Sequence, residues 1–369
     1  MRNPTCDERP SLDRSRRHAL DRILVTATAG RPVAASERRL LAAVSGAEID
    51  HLLTAASRHG VTGFVGHTLL PLPELAPALR ERLTSARNRV VRDHLRAVSE
   101  LPVIAEALDA AGIPWLTFKG PVLAELAYDP SHLREYVDID VLVPAERVQA
   151  ALRALEAVGC RMVGPGWSVL ARERAGEVAL MSPSGVLLDL HWELLNDWRT
   201  RAAFSVPTAT QLVGRARRVV VGGTGVPTLD PVDTLLHLAL HAGTSGGWRL
   251  AWLEDLARAR RAPGAAGPAL PTRAREWQAG LLVASMLVRS ARVLGHALPP
   301  HEVRALTPAR SWLQLLAAVD RVAPVEQATG HGSLTRITTN ATQRDTPTSV
   351  GALVRRSAAY IQHLVTERR

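Results

Sequence analysis

Apolar positions follow the helical repeat from about residue 18 to 111, switch to alternation between about 112 and 228, and return to helical spacing from 229 onward. In the first stretch Ser36 is placed to cap a helix opening Glu37-Arg-Arg-Leu-Leu, and a second helix runs through Ile49, Leu52, Leu53 and Ala56. Pro71, Pro73 and Pro77 mark a connection. A long helix follows with Leu83, Val90, Val91, Leu95 and Val98 on one face, bent at Pro102 and stopped by Gly112. In the middle stretch, Ile113 to Phe118, Asp138 to Val143, Val178 to Met181 and Val186 to Trp192 are expected to be strands. Pro121 starts a short helix, Pro144 starts another that Gly159 ends, and 215–221 with 225–229 suggest a polar hairpin.

In the last stretch Asp230 opens a helix carrying Leu235, Leu236, Leu238 and Leu240, and a second helix covers Arg249 to Arg260. Residues 263–271 are expected to link, helices to lie near 273–294, 311–322 and 349–365, and 324–348 to be a loop. The order predicts an α+β fold: a small mixed β-sheet core at 112–228, flanked by helical regions at 18–111 and 229–369, with 1–17 disordered.

Composition changes this picture little. A 46% hydrophobic, 22% charged chain is that of an ordinary globular protein. The net charge of +10 permits nucleic-acid binding, but the basic residues are scattered in ones and twos, and nucleotide phosphates would be served equally well. Cys6 and Cys160 are far apart and outside metal-ligand spacing, which suggests free thiols in a reducing cytosol. With no apolar leader and no run near the ~20 apolar residues of a membrane span, the expected location is cytoplasmic and no membrane partner is implied.

Candidate chemistry concentrates in the alternating stretch. In Asp138-Ile-Asp140-Val-Leu-Val the two-residue period puts both carboxylates on one strand face, with Ile139, Val141 and Val143 on the other. Aspartate is depleted in strands, and two like charges that close need a cation between them. Asp189 and, two residues on, His191 share one face of the strand 186–192. If the two strands are neighbours, three carboxylates converge as a pair of Mg²⁺ ions for phosphoryl transfer requires.

Lys119 is the single lysine beside 44 arginines, directly before Gly120 at the end of Ile113-Pro-Trp-Leu-Thr-Phe118. A compact ammonium next to a turn-forming glycine suits a phosphate-binding corner better than a planar guanidinium.

The stretch Gly112-Ile-Pro-Trp-Leu-Thr-Phe-Lys119-Gly120, with Leu126-Ala-Tyr128-Asp-Pro, Arg134 and Asp138-Ile-Asp140-Val-Leu-Val, resembles the bacterial nucleotidyltransferase-like family with a Lys-Gly signature. That family is a branch of the DNA polymerase beta-like nucleotidyltransferase superfamily. Lys119-Gly120 stands where most of the superfamily has Gly-Ser. The likeness spans about 105–260 and includes His237, His241, Arg249, Trp252 and Asp255.

It implies transfer of a nucleotidyl group from an NTP, ATP among them, to a small molecule, a protein or an RNA end. The cofactor would be Mg²⁺ or Mn²⁺, held by Asp138, Asp140 and Asp189, with Asp189 as third metal ligand or general base. Lys119, the Gly120 amide and Arg134 would bind phosphate. For His191 two readings stand: positioning the acceptor or helping as acid–base, and a partly buried structural histidine of its strand. His237 and His241 have zinc-pair spacing but lack the glutamate of that motif, so packing is the expected role. Asp255 is expected to pair with Arg249 or another arginine of its own helical region. The alternative is a catalytically silent module of the same fold that binds RNA or a protein partner through its arginines.

Overall fold

The computed structural model describes residues 13–327 and 334–366; the side chains of 357–366 are left out of account. Most of residues 1–17, expected to be disordered, lie outside the described residues, but Arg14 to Arg17 form the first turn of the helix Arg14–Thr28, capped by Asp13.

Among the described residues seven strands form two sheets: β1 (Leu116–Phe118), β2 (Asp138–Leu142), β3 (Arg161–Val163), β4 (Glu177–Met181), β5 (Leu187–His191), β6 (Arg217–Val221) and β7 (Thr224–Thr228). The larger sheet has the order β1-β2-β5-β4-β3, and β6-β7 form a separate hairpin. It is mixed, because β2 and β5 run parallel while the other pairs are antiparallel. The fold is α+β, as the alternation of periods predicts. β3 was not expected: it is three residues long, and Arg161 and Met162 are exposed, so it carries no alternation to detect.

The apolar residues divide into two large cores. One face of the sheet packs against the helix Val148–Ala157 and the hairpin, through Ile139, Val141, Val178, Leu180, Leu188 and Leu190, all buried. The same core takes Ala97, Leu101, Ile104 and Leu108 from the far half of the 34-residue helix Pro77–Ala110. The near half of that helix, with Leu79 and Leu83, belongs to the second core. That core joins the N-terminal helices to Pro231–Thr244, Leu250–Arg261 and Gly280–Leu294. The helix continues through Pro102, and Leu95, expected on its buried face, is 59% exposed.

Other boundaries differ locally. The helix at Ala35–Ala42 includes Ser36, and it is Glu37 that turns back to accept from the Ala34 amide. The stretch near 273–294 is two helices, Ala269–Glu276 and Gly280–Leu294. The segment 324–348 is not a loop throughout: it contains the helix Leu334–Asn340 and the start of Thr346–Thr366. Among the described residues no helix is long and apolar enough to cross a membrane. Cys160 is a buried free thiol.

Candidate active site

The parallel pairing of β2 with β5 sets Asp140 directly opposite Asp189, with Asp138 one pleat earlier and His191 one pleat later on the same face. Antiparallel pairing then puts Glu177 of β4 opposite His191. The polar face formed this way is the floor of a cleft of about 1470 Å³, lined also by Lys119, His237 and His241.

Asp140 is the centre of the floor and is 2% exposed. Its Oδ1 is ion-paired with Lys119 Nζ at 3.0 Å and accepts from His191 Nε2 at 3.1 Å, while Oδ2 is buried with no hydrogen-bond partner. Burial alone would raise the Asp140 pKa, but the Lys119 ammonium and His191 outweigh it and hold the carboxyl well below the usual range. Asp189 has the opposite balance. Burial and the negative charges of Asp138 and Glu177 push it up to about 7. Asp138 is raised as well, by burial first and Asp140 second. Lys119 loses charge stability to burial and regains more from Asp140 and Asp138, so its pKa is raised.

Ligand atoms of Asp140, Asp189 and His191 all lie within 4.8 Å of one another. Two carboxylates, one of them with a bare oxygen at the centre, and an imidazole make a donor set that fits a hard divalent cation. Asp138, expected as a first metal ligand, stands outside that group, half-buried at the start of β2.

The turn that delivers Lys119 is backbone-strained. Lys119 has φ +51° and ψ −134°, a conformation rare for any residue with a side chain. Gly120 follows at φ +34°, and a Cβ there would sit 2.9 Å from the Asp138 carbonyl oxygen. The turn therefore presses its backbone onto β2 and holds the ammonium over Asp140. The helix Gly120–Ala127 begins at this point, with Pro121 in its first turn.

A model of the uncharacterised nucleotidyltransferase family matches residues 45–295, about two thirds of the chain. The chain belongs to this family. No curated protein matches it. Among solved structures it is similar to the solution structure of the antibiotic-resistance factor ANT(2'')-Ia, at 16% identity over 63% of this chain and 98% of that one. The TM-score is 0.30, and no residue role is carried over from it.

In this nucleotidyltransferase-family chain some candidates fall elsewhere than expected. Arg134, expected as a phosphate clamp, is buried and turned into the protein. Its Nε and Nη2 bond both oxygens of Asp255 at 2.8 and 3.0 Å, and Nη1 donates to the Gly120 carbonyl at 3.1 Å. This corrects the expectation for Asp255 too, whose other oxygen contact is the Tyr128 hydroxyl. Arg249 instead donates to the Arg58 carbonyl and lies over the rings of Trp248 and Trp252. A buried pair broken on one side costs about 3–5 kcal/mol, so Arg134 and Asp255 clamp the Lys119–Gly120 turn to the helix Leu250–Arg261.

His237 and His241 pack as expected, with rings 6.1 Å apart. Both are held neutral by burial first and the Lys119 charge second, His241 down to about 3 and His237 well below its ordinary value. Phe118 is wedged edge-on between His191 and His237, at 5.2 and 5.0 Å.

Sequence reasoning missed Glu177. Its carboxylate lies 3.0 Å from His191 Nδ1, out of line for a hydrogen bond, and accepts from Asn196 Nδ2 at 2.7 Å. Extending the alternation of Val178 and Leu180 by one residue would have placed Glu177 on the Asp189 face. The cleft rim is also basic, with Arg172, Arg174, Arg199 and Arg356, and Trp198 lies against Arg174 and Arg199.

Proposed function

We propose that the protein transfers a nucleoside monophosphate from an NTP to an acceptor hydroxyl, with release of pyrophosphate. The observation that carries this reading is the bare Oδ2 of Asp140, which opens among Asp189, His191 and a lysine presented by a strained turn. Nothing in a scaffold requires a buried, unbonded carboxylate oxygen, and such a group is costly unless a ligand completes it.

Asp140 and Asp189 would hold Mg²⁺ or Mn²⁺, with Asp138 or His191 completing the set. The ion supplies Lewis-acid neutralisation of the triphosphate and of the charge that develops at the α-phosphorus. In the alternative arrangement Asp138 and Asp140 hold the ion, and Asp189, with its raised pKa, takes up the acceptor proton near neutral pH. The acceptor oxygen then attacks the α-phosphorus and the bond to the bridging oxygen of pyrophosphate breaks. Lys119 and the Gly120 amide bind the departing phosphates, which the helix start favours. Glu177 orients His191, and the rim arginines with Trp198 receive the rest of the nucleotide. Arg134 acts through the turn and does not touch phosphate. The location this reading implies is the cytoplasm, where NTP is supplied.

The test is incubation of the purified protein with each α-labelled NTP, Mg²⁺ or Mn²⁺, and cell extract. Label should move to an acceptor with the wild type and not with Asp140→Asn. Mg²⁺ with NTP should also raise the melting temperature of the wild type alone. Absence of both label transfer and metal-dependent NTP binding would sink the reading and leave the silent-module alternative.

A further inference from the structure

A separate chamber of about 430 Å³ lies behind the Lys119 turn, between the helix Gly120–Ala127, the hairpin and the helices Pro231–Thr244 and Leu250–Arg261. Its size falls in the range of about 300–1,000 Å³ usual for small-molecule sites. Lys119 and His237 line both this chamber and the cleft, so they form part of the wall between the two. The charge here is one-sided. Among the described residues none of the side chains lining it is acidic, whereas Arg217, Arg258 and Arg261 all face it.

Arg258 is neutralised by Glu254 at 2.6 Å, and Arg261 bonds the neutral acceptor His296 Nδ1 at 2.9 Å. The Arg217 side chain has no hydrogen bond or ion pair among the described residues; it is exposed at the start of β6, on the face that Val219 and buried Val221 share. The rest of the wall is mainly apolar, broken by Thr228 and Thr234, and Leu126 is 44% exposed in it. His237 supplies an independent sign of a ligand. It is 2% exposed, and neither ring nitrogen has a partner. A buried imidazole left without a hydrogen bond is uncommon in a completed core.

We propose that this chamber is a second ligand site, for a small organic anion whose apolar body lies on Leu126 and Leu238 while its carboxylate meets Arg217 and the His237 ring. The neutral imidazole can donate one hydrogen bond to a carboxylate oxygen, and the arginine can supply a charge-assisted pair. The proposal does not depend on the transfer reaction, since none of the residues it uses holds the cation.

The experiment titrates the full chain with 4-phenylbutyrate, its neutral counterpart 4-phenylbutanol, and inorganic phosphate, following leucine methyl signals by NMR. The carboxylate should give saturable shifts at Leu126 and Leu238, and both other probes should bind at least about tenfold more weakly. His237→Phe keeps an aromatic ring against Phe118 and removes both nitrogens; it should weaken the carboxylate about tenfold, as should Arg217→Glu. Ala262→Trp, at the partly exposed end of a helix, should narrow the mouth and abolish the shifts. Asp140→Asn should leave them intact, which separates this site from the metal-binding cleft. No saturable shift with any probe would mean the chamber holds solvent only and would overturn the proposal. Equal binding of the alcohol, or shifts at Leu194 and Leu195 of the cleft instead, would overturn it as well.

Discussion

Lys119 and His237 stand between two spaces of opposite character. On one side the cleft has an acidic floor, where Asp138, Asp140, Glu177 and Asp189 gather on one sheet face. On the other, the chamber is walled by apolar side chains and arginines with no carboxylate among its described lining residues. The single lysine belongs to both, but its charge is already committed to Asp140 at 3.0 Å. The difference teaches how the Lys119 turn can separate surroundings suited to a cation from surroundings suited to an anion. Carboxylates come from strand positions of one parity, while the cations on the far side come from the hairpin and a helix end.

The sharpest way to break this contrast is at its centre. Asp140→Asn removes the charge that Lys119 and His191 share, and nucleotidyl transfer should fall on the order of 10²–10³-fold, read as kcat with labelled NTP. Lys119→Arg keeps the charge but places a wide fork on a backbone held at φ +51°. Transfer should fall about 10²-fold while the melting temperature changes little, the outcome that separates a phosphate role from a structural one.

Gly120→Ala tests the turn itself. A Cβ against the Asp138 carbonyl at 2.9 Å should cost about 1–3 kcal/mol by denaturant unfolding. The smallest effect is on pH. A cation must displace the proton that Asp189 retains to about pH 7, so Mg²⁺ affinity should rise by up to about tenfold per pH unit below 7 and level off above it. Without the ion, stability has the reverse sign. The unfolded carboxyl releases its proton near 3.8, so metal-free stability should fall as pH climbs from there to about 7.

Much of the cleft floor was legible because a strand has a period of two. Asp138, Asp140, Asp189 and His191 could be assigned to faces from the chain alone, given apolar neighbours at every other position. Glu177 escaped because its strand was read one residue short. The helix Leu334–Asn340 escaped for a different reason. Its sequence, Leu-Thr-Arg-Ile-Thr-Thr-Asn, is rich in β-branched residues that disfavour helix on their own. In the folded chain Thr338 and Thr339 hydroxyls bond carbonyls one turn back, and buried Arg289 donates to the Thr339 hydroxyl. That support comes from packing, which no local pattern reports.

What the sequence determined by itself was therefore local: the strands β1, β2, β4 and β5 to within a few residues, which carboxylates share a face, and that one lysine precedes a glycine. These follow from steric periods a few residues long. The tertiary structure decided the partners. It set β2 beside β5 in the register that faces Asp140 with Asp189. It also paired Arg134 with Asp255, 121 residues on. Forty-four arginines are equivalent in the chain until the fold brings a carboxylate to some of them, because a charge pair depends on distance in space and not along the sequence. The same holds for the chamber beside His237, whose walls come from three separate stretches of chain.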